Sequence, residues 1–306
     1  MRFALASCLG VLLLEAVLHA LDWPHLGDEP VSHLLEHLGR ECSTDVRWDP
    51  LIGVHPRVPG ESYGELGTRR VRDPGPVFDR ERLLLLGDSV VHRPGLFEPF
   101  AAELTESHAV FEAGVEGFDT QSELEWLRRY AVNCEPERVL LLMHVNDFWG
   151  NSQIYRDERG RLCVFHRQAG RVVVRERLLS SSRIYRAWLR KRLRPADDPV
   201  WKQRERLSTH FRALHVFCEE RGIELNAALL PLVDPQRNED DLIRGHMTLM
   251  VELMESLDVP YLDLRSALDR ALEAGIDPGE DAEHPSPLLA EYFALELARW
   301  LLEGDS

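Results

Sequence analysis

Arg82-Leu83-Leu84-Leu85-Leu86-Gly87-Asp88-Ser89 is the stretch on which the fold turns. Its apolar part is a continuous run behind a single charge, too short for a helix and closed by Gly87. That pattern predicts a strand buried on both faces, as in a parallel sheet. Three further strands of this kind are expected at residues 138–143, 223–230 (ended by Pro231) and 259–264. Helical periodicity covers residues 96–107, 122–130, 201–221, 240–257 and 287–302. Strand and helix alternate, so the expected fold class is α/β, a doubly wound, mainly parallel sheet with helices on both faces. Reactive groups in such sheets collect at the carboxyl ends of the strands.

The whole chain fits that expectation. Its 306 residues suffice for a large core, and 44% hydrophobic with 29% charged residues exclude a collagen-like, low-complexity or disulfide-scaffold protein. With 36 Lys+Arg against 52 Asp+Glu the net charge is −16, which argues against a nucleic-acid partner, since neutralising phosphates needs a basic surface. The five Cys form no CxxC pair and no metal-ligand spacing, and read as dispersed thiols with one optional bridge.

Upstream, residues 3–21 are apolar except for Glu15 and His19, with Arg2 ahead and Asp22, Asp28 and Glu29 behind. The run is just long enough to span a bilayer, and the flanking charges favour an anchor that leaves the domain extracytoplasmic. A cleaved signal is one rival, although Leu18 and Ala20 do not make a small-x-small site. The other is an amphipathic helix packed on the domain, to which Glu15 and His19 lend weight. Leu5-Ala6-Ser7-Cys8 sits too early for a lipoprotein box. Residues 22–80 then read as an extended lead-in, with turns at Trp48-Asp49-Pro50-Leu51-Ile52-Gly53 and Gly67-Thr68-Arg69-Arg70. The main domain is placed at residues 81–306, with an insertion at about 151–200. Within the insertion, Cys163-Val164-Phe165 and Val172-Val173-Val174 flank a turn near Gly170, and an arginine-dense helix covers residues 182–194. Residues 167–206 hold thirteen Lys+Arg and four Asp+Glu, a net +9 against −25 for the remainder. Two readings follow: a solvated helix against acidic surface, or a contact for an anionic polymer or lipid headgroups.

Four blocks carry candidate chemistry. Ser89 in Gly87-Asp88-Ser89 stands just past a strand end, where a turn exposes a hydroxyl and a following helix presents N–H groups. Glu112-Ala113-Gly114-Val115-Glu116-Gly117-Phe118 and Asn146-Asp147 offer a glycine N–H and a side-chain amide, the donors a tetrahedral oxyanion needs. In Asp281-Ala282-Glu283-His284-Pro285 an Asp and a His three apart can join carboxylate to Nδ1 and leave Nε2 free to take a proton. His19, His25, His33 and His37 are spaced six, eight and four apart and offer no two-His face with a third ligand, so no metal site is expected. Trp126, Trp149, Trp188 and Trp300 are packing residues or sugar platforms, with Trp149 nearest to Asn146 in sequence.

In this order, Gly87-Asp88-Ser89, Gly114-Val115-Glu116-Gly117, Asn146-Asp147 and Asp281-x-x-His284, the chain resembles the SGNH (GDSL-type) hydrolase superfamily over residues 82–302. Leu51-Ile52-Gly53 and Leu66-Gly67-Thr68-Arg69 look like the lead-in of bacterial members with an N-terminal membrane segment. The resemblance implies a flavodoxin-like three-layer sandwich. It makes Ser89 the nucleophile, His284 the general base and Asp281 the residue that orients the imidazole. The oxyanion hole would be the backbone N–H groups of Ser89 and Gly117 and the Asn146 amide, with Asp88 structural. His144 stands where the third block usually has Gly, and Val90-Val91-His92-Arg93 departs from the residues common after the nucleophile. The implied activity is serine-dependent hydrolysis of acyl (most plausibly acetyl) esters of a carbohydrate or small molecule, with no metal or organic cofactor. Transfer of the acyl group to an extracytoplasmic polysaccharide, and a polysaccharide-binding module with a degenerate site, are the alternatives.

Overall fold

Leu83 and Leu85 enter one core while Leu84 and Leu86 enter another, because successive side chains of a strand point to opposite faces. The structure is a computed structural model and describes residues 46–49, 52–56, 58, 68–72, 80–93, 95–148, 152–157, 159–166, 170–193, 199–279, 281 and 283–304. The described residues fall into two compact units, one of residues 47–148 and 199–304, the other of residues 152–193 with Val46. The expected anchor at residues 3–21 and the four N-terminal histidines lie outside the described residues. Among those described, no helix is long and apolar enough to cross a membrane.

β1 (Val46–Asp49) and β2 (Gly53–Pro56) form a two-stranded sheet. The large sheet then contains β3 (Arg70–Arg72), β4 (Glu81–Gly87), β5 (His108–Gly114), β6 (Arg138–His144), β10 (Glu224–Leu230) and β11 (Tyr261–Asp263), in the spatial order β11-β10-β6-β4-β5-β3. Five of these strands are parallel, and only β3 runs antiparallel, along β5. One face is covered by α3 (Thr120–Arg129), α6 (Val200–Glu219) and, after the short α7 (Pro235–Asn238), α8 (Asp241–Ser256); α3, α6 and α8 pack Trp126, Phe211 and Met250 against it. The other is covered by α1 (Ser89–His92), α2 (Phe97–Glu103), α9 (Arg265–Glu273) and α10 (Pro287–Gly304), through Val91, Phe100, Leu268 and Phe293. This is the expected α/β three-layer fold with a doubly wound parallel sheet. Because β5 lies on one side of β4 and β6 on the other, the chain reverses its winding at the β4/β6 pair. That is the position at which open α/β sheets form their crevice, and Ser89 and Asn146 follow these two strands.

The sequence pattern did not reveal β5. Its apolar stretch is only Ala109-Val110-Phe111, because His108 and Glu112 are charged-type residues at buried positions. Both are accommodated by partners: His108 Nε2 is 3.3 Å from Glu81 Oε2, and Glu112 Oε1 is 3.7 Å from Arg69 Nη1. The helix expected over residues 96–107 correspondingly stops at Glu103. The short helix α9 was also missed, since its buried stripe is Ala267, Leu268 and Ala271, two of them alanines.

The second unit contains a three-stranded antiparallel sheet of β7 (Ser152–Arg156), β8 (Leu162–His166) and β9 (Gly170–Val173). α4 (Glu176–Ser181) and α5 (Arg183–Leu193) follow, and Leu179, Leu189 and Leu193 close a small core over Leu162, Val164 and Val172. Within it Arg156 reaches both oxygens of Glu176 at 2.8 and 2.9 Å, and Asp157 receives Arg161 and Arg171. Partial burial would raise the Asp157 carboxyl, but the Arg161 guanidinium and the Arg161 and Arg159 backbone N–H groups outweigh it and hold it at about 2.

Gly87 and Gly114 are register partners on β4 and β5, and α1 is laid directly on them. A Cβ on Gly114 would stand 2.5 Å from Val91 Cβ, and one on Gly87 would stand 2.6 Å from Val91 Cγ2. Gly114→Ala should therefore lower stability by about 1–3 kcal/mol through overpacking, read as a lower urea midpoint. A variant as stable as the wild type would mean that α1 does not rest on the sheet at this point.

Candidate active site

β4 ends at Gly87, and Asp88 turns the chain into the single helical turn α1 by accepting the Val90 N–H at 2.9 Å. Ser89 thus stands at the head of α1, just beyond the sheet, and is 7% exposed. The turn is closed by the His92 N–H to the Asp88 carbonyl at 3.1 Å and the Arg93 N–H to the Ser89 carbonyl at 2.9 Å. Its far end is held by the Arg69 guanidinium, which donates to the His92 carbonyl while facing Glu112.

Asp281 and His284 come from the loop ahead of α10. Asp281 Oδ1 accepts the backbone N–H groups of Glu283 and His284, both at 2.8 Å, which folds the carboxyl under the imidazole. His284 Nδ1 lies 2.9 Å from Asp281 Oδ2 and 3.0 Å from Oδ1, and Nε2 lies 3.0 Å from Ser89 Oγ. Asp281, His284 and Ser89 are therefore one hydrogen-bonded chain, although Ser89 and His284 are 195 positions apart in sequence. Partial burial alone would raise the Asp281 carboxyl, but the His284 ring and the two N–H groups outweigh it and hold it below its usual value. Arg93 Nη1 stands 3.8 Å from Asp281 Oδ2, on the outer side of this relay.

Asn146 lies on the 3₁₀ turn Val145–Phe148 that follows β6, and is 4% exposed. Its Nδ2 donates to Asp88 Oδ2 at 2.6 Å, which spends one of the two amide hydrogens and leaves the second for another acceptor. Asp147 caps the same turn by accepting the His144 N–H at 3.0 Å. Gly117 is on the loop after β5, beside the β4 loop: the Val115 N–H reaches the Gly87 carbonyl at 3.1 Å. The turn from Val115 to Phe118 needs a left-handed residue, and Gly117 supplies it at φ +77°.

Two groups at the site escaped the sequence reading. Glu123 of α3 is fully buried close to Asp88, Asp119 and Asp147, and burial followed by the Asp147 carboxyl drives it well above its usual value. Burial and the Asp88 carboxyl do the same to Asp147, against the His144 N–H. Glu123 stands three and four positions before Trp126 and Leu127, which places it on the apolar face of α3, and that spacing was the available signal. His144, a departure from the third block in sequence, is a buried ring that interacts with the Asn146 side chain and with the charges of Asp88, Glu283 and His284. Of the tryptophans, Trp126 is core, Trp300 packs on the core edge, Trp188 is 51% exposed in the second unit, and Trp149 lies outside the described residues. No set of side chains suited to a metal ion occurs among the described residues.

No protein-family model matches the chain, and no curated protein matches it. Among solved structures it is similar to the acetyl xylan esterase AlAXEase, at 15% identity and a TM-score of 0.48, covering 72% of this chain and 98% of that one. It is similar to Axe2, an acetylxylan esterase from Geobacillus stearothermophilus, at 14% identity and a TM-score of 0.45, covering 72% and 92%. A lipase/acylhydrolase from Enterococcus faecalis gives 15% identity and a TM-score of 0.47, covering 72% and 95%.

The buried acids carry a pH signature. Folded Glu123 keeps its proton where the unfolded chain, with the ordinary value of 4.5, has lost it. Its contribution to stability therefore falls as pH rises from about 4.5 toward the raised value. Glu123→Gln removes this slope, so the variant should gain on the wild type between pH 5 and pH 8 in urea unfolding. An offset that stays constant across that interval would mean Glu123 is not protonated in the folded protein.

Proposed function

We propose that this protein is a serine ester hydrolase of the SGNH type, acting on acyl esters, with acetyl esters of carbohydrates the leading substrate class. The observation that carries this reading is the relay from Asp281 through His284 to Ser89, with both hydrogen bonds at 2.9–3.0 Å. A serine hydroxyl is a weak nucleophile unless a base removes its proton as the bond forms, and His284 Nε2 is within reach to do so. Asp281 on Nδ1 fixes the tautomer that leaves Nε2 as acceptor and stabilises the imidazolium that follows.

In this mechanism Ser89 Oγ bonds to the ester carbonyl carbon and its proton passes to His284 Nε2. The carbonyl oxygen becomes an anion held by the backbone N–H groups of Ser89 and Gly117 and the second amide hydrogen of Asn146. Collapse of the intermediate breaks the C–O bond to the alcohol, which leaves with the proton from His284. Water, deprotonated by His284, then attacks the acyl-Ser89 carbonyl and releases the acid and the free serine. Residues 3–21 as an anchor would leave this chemistry outside the cytoplasm.

Hydrolysis of p-nitrophenyl acetate, with and without acetylated xylo-oligosaccharide, tests the reading directly. Ser89→Ala and His284→Ala should each abolish turnover without changing the fold, and a fluorophosphonate should label Ser89 in the wild type alone. Turnover comparable to wild type in either variant would remove the relay assignment. Asp281→Asn should cost less than His284→Ala, because a poorly oriented imidazole still accepts a proton. Asn146→Ala should lower kcat by about 10²–10³ with little change in KM, since an oxyanion donor acts in the transition state. A raised KM with normal kcat would make Asn146 a ground-state contact instead.

A further inference from the structure

Two buried polar groups that the relay does not use stand side by side at the end of β6. His144 is 1% exposed, and its ring lies among Asn146, Asp88, Glu283 and His284. No well-formed hydrogen bond reaches either ring nitrogen or the equally buried Asn146 Oδ1, although the ring and the Asn146 side chain are near enough to interact. One group has an N–H to give and the other has lone pairs to receive it, and each bears the full desolvation cost while they stay apart. Hydrogen bonds at such sites are often long or poorly aligned in a free enzyme and tighten when substrate binds.

We infer that His144 is a positioning residue for the oxyanion-binding amide: its single ring N–H donates to Asn146 Oδ1. This rests on the ester-hydrolase reading above. The Asn146 amide is thereby gripped at both ends, with His144 on the oxygen and Asp88 on the nitrogen. A flipped amide would set its oxygen against the Asp88 carboxyl and present oxygen to an oxyanion, so the grip decides whether the group stabilises or repels the developing charge. The imidazole is suited to this because it is uncharged. Burial pulls its protonation down, with nearby His284 acting in the same direction, and together they prevail over the opposing Asp88 and Glu283 carboxyls and the Asn146 contact. A neutral ring donates its N–H without placing a second positive charge beside the histidine that must take the serine proton.

The test is a double-mutant cycle on p-nitrophenyl acetate, with His144→Phe and His144→Gln each made in wild-type and Asn146→Ala proteins. His144→Phe should lower kcat by about 10–100-fold with KM little changed, less than the roughly 10²–10³ for loss of the donor itself. His144→Gln, whose amide N–H can still donate, should recover part of that loss. In the Asn146→Ala background His144→Phe should cost nothing further, because the residue acts only through that amide. Wild-type kcat in His144→Phe, or an equal loss in both backgrounds, overturns the inference. Should the phenylalanine variant fail to fold, as judged by its circular dichroism melt, His144→Leu serves the same comparison. A wild-type protein that neither turns over esters nor labels with a fluorophosphonate overturns the hydrolase reading and this one with it. An active wild type with a silent His144→Phe overturns this one alone.

Discussion

The Asp88 carboxyl, buried at the end of β4, accepts the Val90 N–H with one oxygen and the Asn146 amide with the other. Two neighbouring strands thus end in a single hydrogen-bonded bridge, and the two residues proposed to attack and to stabilise sit on its two sides. A buried carboxyl with only one of these partners would face a desolvation cost of several kcal/mol, so the bridge tends to be complete or absent. The sheet order makes it possible. At the β4/β6 pair the chain winds away on both sides, the arrangement in which open α/β sheets leave a crevice beyond the strand ends. Small residues complete the arrangement, since Gly87 and Gly114 let α1 settle onto the sheet with Ser89 at its head.

Around this bridge the protein keeps charge in check by burial. Glu123 and Asp147 are pushed toward their protonated forms, which limits the anions crowded next to Asp88. His144 is pushed toward its neutral form for the same reason with the opposite sign. The relay carboxyl Asp281 is treated differently. It lies at the surface, half exposed, and its hydrogen bonds favour the ionised state. Glu123, Asp147 and His144 are thus held toward neutral, while the Asp281 carboxyl, which faces the His284 ring, is favoured in its ionised form beside Arg93.

Much of this was legible in the sequence because short-range rules govern it. The leucine run 83–86, the glycine that ends it and the Asp-x-x-His turn are each read from a handful of adjacent residues. Pattern failed where a buried position is polar and its partner is distant. β5 hides behind His108 and Glu112, whose partners Glu81 and Arg69 lie 27 and 43 positions away. Glu123 and His144 look like ordinary surface types until the sheet brings Asp88, Asp147 and Asn146 to them. Periodicity reports how apolar a face is, and it is silent on which polar residues that face has been built to hold.

The relay joins residue 89 to residue 284, and the second partner belongs to the loop that enters α10, the last helix described. α10 also contributes Leu289, Phe293, Leu297 and Leu301 to one side of the core. During synthesis the serine turn therefore emerges long before residue 284, and until then its hydroxyl lacks the imidazole partner seen here. The hydrogen-bonded chain closes only when α10 docks, in the same event that covers part of the apolar face. Under the proposed function, ester turnover would consequently report that α10 has docked.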